Sequence, residues 1–188
     1  MEMPAGGYTG APRSLIQRMM GAAMLDTTVY EEVEHDQSAT SQAAIVVGIV
    51  AICAAIGSYN AGVKTIVVGV VMAFVGWLIM SVLTYFIGTK LFNGRADIGE
   101  MLRTLGFAQA PGVLAILGII PILGKLVMFA VWVWQLVTAV IAIRQALDFD
   151  TGKAVATAVI AWIVVIIVNF VLAAMFIGTA MVAGAVAG

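Results

Sequence analysis

Long apolar runs alternate along the chain with short polar segments, and the runs are too long and too uniformly apolar for strands or for half-buried surface helices. A bilayer core roughly 30 Å thick takes about 20 helical residues, with a range of about 17–25. Five runs meet that length: 43–59, 65–89, 104–124, 126–147 and 154–177. Asn60, Ala61 and Gly62 form the turn after the first. Pro111 and Pro121 interrupt the third, so a re-entrant hairpin around Lys125 stands as the alternative for spans three and four. Arg144 falls within the fourth, where its long stem lets the charged end reach the interface. The pattern predicts an all-α, multi-pass transmembrane helical bundle of about five spans. The end of the chain, 178–188, is apolar but built of small residues. A straight helix from residue 154 onward would measure roughly 52 Å at 1.5 Å per residue, so this end is expected to bend, lie along the interface or pack on a partner.

Ahead of the first span, 1–42 reads as a cytoplasmic amphipathic and acidic segment. Leu15, Ile16, Met19, Met20, Ala23 and Met24 form one apolar stripe with Arg13, Gln17 and Arg18 off it, and Pro12 suits a first helical position. This predicts an N-terminal amphipathic helix at the membrane interface or against the bundle. Thr28 and Glu31 have capping-box spacing and predict the start of a second helix, which carries Glu32, Glu34, His35 and Asp36. Between spans two and three, Asp97 and Glu100 repeat the capping pattern. Ile98, Met101, Leu102 and Leu105 follow at helical spacing, an interfacial helix feeding the third span. Asp150 or Thr151 is placed to cap the fifth.

Composition agrees with the pattern: 63% of the 188 residues are apolar and 10% charged, against about 25% charged in soluble domains. The charges sort by side. Lys90, Arg95, Arg103, Arg144 and Lys153 flank spans on the side of the N-terminus, whereas Lys64 and Lys125 lie opposite. The excess of Lys and Arg predicts a cytoplasmic N-terminus and an outside C-terminus. A net charge of −1 offers no basic field for nucleic acid.

One His and one Cys are too few for a haem site with two His ligands or for a Cys/His zinc site. Glu31 and His35, four apart, have metal-ligand spacing, but two ligands on a solvated helix read better as a charged surface. All Asp, Glu and His residues fall outside the apolar cores, so the carboxylate pair of an aspartyl intramembrane protease and the buried acid of a proton-driven transporter are both missing. No catalytic, cofactor-binding or metal-binding residue is expected, and no cofactor. Among the polar residues at depth, Gln109, Gln135 and Asn169 are the candidate intramembrane contacts, by interhelical pairing or along a narrow polar path. Gly69/Ala73, Ala174/Gly178 and Ala180/Gly184 have the spacing that lets helices approach closely.

Leu105-Gly106-Phe107-Ala108-Gln109-Ala110-Pro111, followed by Leu117-Gly118-Ile119-Ile120-Pro121, resembles the glycine–aromatic–proline segment of the Ypt/Rab-interacting (Yip) family. Trp134-Gln135-Leu136 and Ile143-Arg144-Gln145-Ala146-Leu147-Asp148 resemble the next block of its prokaryotic members. The resemblance implies a Yip-type transmembrane domain over 43–188, with Gly106, Phe107, Pro111, Pro121, Arg144 and Asp148 as structural motif residues and none that are catalytic. It also implies an integral protein of a bacterial or archaeal cytoplasmic membrane. Eukaryotic members act in vesicle trafficking and bind small GTPases. The short N-terminal region here lacks their acidic-Leu-Tyr-Gly-Pro motif, which argues against GTPase binding.

The expected function is therefore a non-enzymatic integral membrane protein that organises membrane or protein assemblies. Its expected partners are the lipid bilayer and either further copies of itself or a larger membrane complex. A channel or transporter for a small solute, and an accessory subunit docking through 178–188, are the alternatives.

Overall fold

The computed structural model describes the backbone of residues 13–58, 62–120 and 122–187, and the side chains through Phe170. Seven α-helices and one 3-10 helix account for nearly all of it: α1 Leu15–Ala23, α2 Thr27–His35, α3 Ala39–Gly57, α4 Val63–Leu91, α5 Ile98–Phe107, the 3-10 helix Ala110–Ile119, α6 Leu123–Ala146 and α7 Thr151–Ala187. Among the described residues five stretches are long and apolar enough to cross a membrane, and the third of them, Ile98–Ile119, is α5 and the 3-10 helix together. The class is all-α, as the apolar pattern predicts.

Caps set the helix starts. Ser14 and Gln17 form a reciprocal capping box at α1, two residues after the expected Pro12. At α2 the cap is Asp26 rather than Thr28. Its carboxylate accepts both the backbone N–H and the hydroxyl of Thr28, at 3.0 and 2.8 Å, so the helix begins before the predicted box. Asp97 and Glu100 cap α5 as their spacing predicts. At α7, Asp150 accepts the N–H of Lys153 at 3.1 Å, which assigns the cap to Asp150 rather than Thr151.

The largest departure from expectation is in the third span. Ile98 to Leu105 forms a helix that leads into the third span, as its spacing predicts, but its second half is enclosed by neighbouring helices. Met101, Thr104, Leu105, Gly106 and Phe107 are buried between α2, α3, α4 and α6, and α5 forms the first half of the crossing element. Pro111 has no N–H to donate, so the α-helix ends at Phe107 and the chain resumes as a 3-10 helix. Ten residues of α-helix and ten of 3-10 helix rise about 15 and 20 Å, together enough for a bilayer core of about 30 Å. α6 is 24 residues long, so the third and fourth elements each have the length to cross on their own.

Close packing occurs at glycines other than those of the expected small-residue pairs. A Cβ on Gly69 would meet open space. A Cβ on Gly106 would lie 2.6 Å from the Cβ of Ala43, and one on Gly57 would overlap the carbonyl oxygen of Ala115. α3 therefore lies directly against both halves of the third span, and a side chain at either glycine would force them apart. α4, by contrast, leaves most of its length open, including Val67, Val71 and Leu78. α7 continues as one helix to Ala187, 37 residues and about 55 Å. The side chains of the tail 178–188 and of the last expected small-residue pairs lie outside the described residues.

Candidate functional site

Two constructions carry most of the directed polar contacts. The first is at the polar end of the bundle, where α1 and α2 form a hairpin packed against α5, α6 and the 3-10 helix. Arg18 is 2% exposed, not on the solvent side of α1 as its place off the apolar stripe implies. Its guanidinium donates to Glu32 Oε1 at 2.9 and 3.0 Å, to Asp36 Oδ2 at 2.7 Å and to Gln42 Oε1 at 3.0 Å. One buried cation thereby joins α1, α2 and the first turn of α3. Two acidic partners and an amide satisfy it, which is the condition for burying a charge without a large penalty. Arg13 adds a second contact to Glu32, at 3.0 Å. Tyr30 donates its hydroxyl to the carbonyl of Ala22, and the indole of Trp134 donates to that of Ala23 at 2.8 Å, so the end of α1 is held by both α2 and α6.

With Arg18 turned inward, the apolar stripe of α1 divides. Ala22 is buried, while Ile16, Met20 and Met24 stay 54–72% exposed beside the polar Gln17. Arg103 of α5 fixes the other end of the hairpin. Its Nε donates to the carbonyls of Val33 and Glu34, each at 3.0 Å, and Nη2 also donates to Glu34, so a cation completes the carbonyl-rich C-terminus of α2.

Beside it, Glu31, Glu34, His35, Arg144, Gln145 and Asp148 line a polar cleft of about 370 Å³. Gln145 donates to Glu31 at 3.0 Å across it. Burial raises the Glu34 carboxyl to about 7, with the neighbouring acids Glu100, Asp148 and Glu31 adding to the shift and His35 opposing it. The Ser38 hydroxyl and then Arg18 hold Asp36 below the usual carboxylate range against its own desolvation. Glu31 and His35, which have metal-ligand spacing, meet through the backbone: His35 Nδ1 bonds the main-chain carbonyl of Glu31 at 2.9 Å. Among the described residues no group of three potential metal ligands is present.

The second construction is the break in the third span. Just past the end of α5, Pro111 offers no N–H to the carbonyl of Ala108, and α6 supplies donors to the carbonyls at the break. Thr138 Oγ1 donates to the carbonyl of Ala108 at 2.6 Å and Gln135 Nε2 to that of Gln109 at 3.3 Å. Gly112 donates back to Gln109 at 2.8 Å. Broken backbone at membrane depth is tolerated where protein buries and satisfies it, which these contacts do.

The motif residues divide between these places. Gly106 lies against Ala43, Phe107 is fully buried, and Pro111 is buried at the head of the 3-10 helix. Pro121 is outside the described residues. Arg144 and Asp148 belong to the end of α6. Asp148 adopts φ 54°, its N–H reaches the carbonyl of Gln145, and that of Phe149 reaches Arg144, the paired bonds of a Schellman cap. Gln109 and Gln135 come together. Asn169 does not join them: it is exposed on α7 and donates to Val165 of its own helix at 2.8 Å. Arg18, Arg103 and Thr138 carry more of the architecture than their sequence signal suggested. The one available clue was that two basic residues precede an acidic helix at hairpin distance.

Searches of curated proteins and of solved structures return no match. A family model, described as the Yip1 domain, matches residues 27–175, from the start of α2 through all five crossing elements and into α7. α1 and Arg18 precede the matched region. The match covers the greater part of the chain and agrees with its five-span helical architecture: the protein is a membrane-integral member of the Yip1-domain family.

Proposed function

We propose that the protein organises membrane or protein assemblies, without chemistry of its own, through the polar end of its bundle, and that this end faces the cytoplasm. The observation that carries the reading is the locked hairpin. Arg18 and Arg103 fix α1 and α2 to α3 and α5, so Ile16, Met20 and Met24 are presented on a rigid support beside exposed polar residues. A helix edge of that kind suits the headgroup region of the cytoplasmic leaflet or an apolar partner. Lys90, Arg95, Arg144 and Lys153 share this end, which supports its orientation by the positive-inside rule. Further copies of the chain, or a larger membrane complex, are the partners this reading expects.

The test is reconstitution of the full chain into liposomes. The expected result is clustering of the protein or a change in vesicle shape, lost when Ile16, Met20 and Met24 are all replaced by Gln. Appreciable solute flux from the same liposomes overturns the reading. That outcome belongs to a second one, passage of a small solute, which is favoured by the cavities that meet at Gln109 and Gln135.

A further inference from the structure

Two cavities, both open to the surface of the bundle, meet at the break of the third span. One, about 310 Å³, lies between α4, α6 and α7 and is walled by Trp77, Trp132 and Trp162 among other apolar side chains. The other, about 380 Å³, lies between α3 and α4. Ala73, Gln109 and Gln135 line both. Volumes of this size, with apolar walls and a few convergent polar groups, are the general form of small-molecule sites.

The polar groups are incompletely used. Gln135 Nε2 is spent on the carbonyl of Gln109. Among the described residues, no hydrogen bond reaches the side chain of Gln109 or Oε1 of Gln135. Gln109 is midway along Ile98–Ile119 and Gln135 midway along Leu123–Ala146. At that depth an amide without a partner is expensive, because hydrocarbon offers none. Gly112 makes the arrangement possible: a Cβ there would lie 2.6 Å from Nε2 of Gln135 and 2.5 Å from Val50, so any side chain would push the amide away from the break. No Asp, Glu, Lys, Arg or His lines either cavity, so nothing there would compensate a charge.

We infer that the joined cavities bind an uncharged amphiphile, a lipid-like molecule with a long apolar body and one hydroxyl or carbonyl group that the Gln109 and Gln135 amides meet at mid-membrane. Its source is the bilayer itself. The apolar body lies along the tryptophan-walled cavity, and the polar group sits where Ala73, Gln109 and Gln135 converge.

The experiment uses the full chain in phosphatidylcholine vesicles with two photoactivatable probes, a diazirine-bearing hexadecanol and the matching hexadecane. Cross-links are mapped by mass spectrometry. The alcohol is expected to label Met72, Met80 and Leu136 about fivefold more than the alkane, the factor of a single membrane-depth hydrogen bond. The double variant Gln109→Leu/Gln135→Leu is expected to bring the alcohol down to the alkane's level. Should that variant fail to fold, Ala73→Phe, which fills the shared wall, is expected to remove labelling by both probes, and unlabelled hexadecanol should compete at about fivefold lower concentration than hexadecane. Equal labelling by the two probes in the unaltered protein, the result for a merely lipid-wetted groove or a water-filled one, overturns the inference. So does an absence of label at these residues.

Discussion

α4 is an unbroken helix of 29 residues with 11% of its span buried, whereas the third crossing element breaks after Phe107 and has 56% buried. On α4, Ser81, Thr84 and Thr89 return their hydroxyls to carbonyls one turn back in the same helix, and Trp77 alone of these polar groups reaches out, its Nε1 donating to the carbonyl of Leu102 on α5 at 3.0 Å. In the third element the carbonyls released at the break are taken up by Thr138 and Gln135 of α6, and its cation reaches across to α2. A helix facing lipid must satisfy its own backbone. One enclosed by protein is free to break, provided that neighbours complete it.

Paired substitutions test that difference. Arg103→Met should cost about 3 kcal/mol, since it strips charged donors from the last carbonyls of α2. Lys90→Ala, an exposed cation at the end of α4, should stay within about 0.5 kcal/mol. Both are read by reversible unfolding in mixed micelles. Gly106→Ala should destabilise by about 2 kcal/mol by driving α5 off Ala43. Gly69→Ala, facing open space on α4, should instead gain up to about 1 kcal/mol from helix propensity. The same change would then have opposite signs in the two spans, and equal effects would erase the contrast.

Thr138→Val should cost about 1 kcal/mol because the carbonyl of Ala108 loses its donor, while Thr84→Val should be nearly neutral. A thermal-shift series on the two variants is sufficient to compare them.

The pH-dependent effect belongs to Glu34, on the helix that Arg103 completes. Its carboxyl is raised from 4.5 to about 7 in the folded protein, chiefly by burial. Below about 4.5 it is neutral in folded and unfolded chains alike. As pH rises toward 7 and beyond, the unfolded chain ionises first and stability falls. Glu34→Gln should flatten that part of the stability–pH curve and raise stability at pH 8 more than at pH 5. Parallel curves for the two proteins would show that the carboxyl does not feel its burial.

Hydropathy made the five crossings legible, because length and apolar content are all that a bilayer asks of a helix. Capping chemistry located α5 and narrowed the start of α7 to two residues. What the sequence hid were contacts between distant positions. Arg18 looked solvated because its partners Glu32, Asp36 and Gln42 come close only when the hairpin closes. The enclosure of Thr104 and Leu105 was hidden because periodicity records one apolar face and is silent about what covers the others. Pro111 announced a break, but nothing local said that Thr138 and Gln135 would repair it. Gln109 and Gln135 were singled out by polarity alone, and their common cavities needed the fold to appear.

The 3-10 helix also changes how far the chain reaches for its length. At about 2.0 Å per residue instead of 1.5 Å, its ten residues extend roughly 5 Å beyond an α-helix of the same composition. The third crossing thus reaches about 35 Å with about three fewer residues than regular helix would need for that length. Rewinding that stretch into α-helix would draw its two ends about 5 Å closer together, and the chain on either side of the crossing would have to follow.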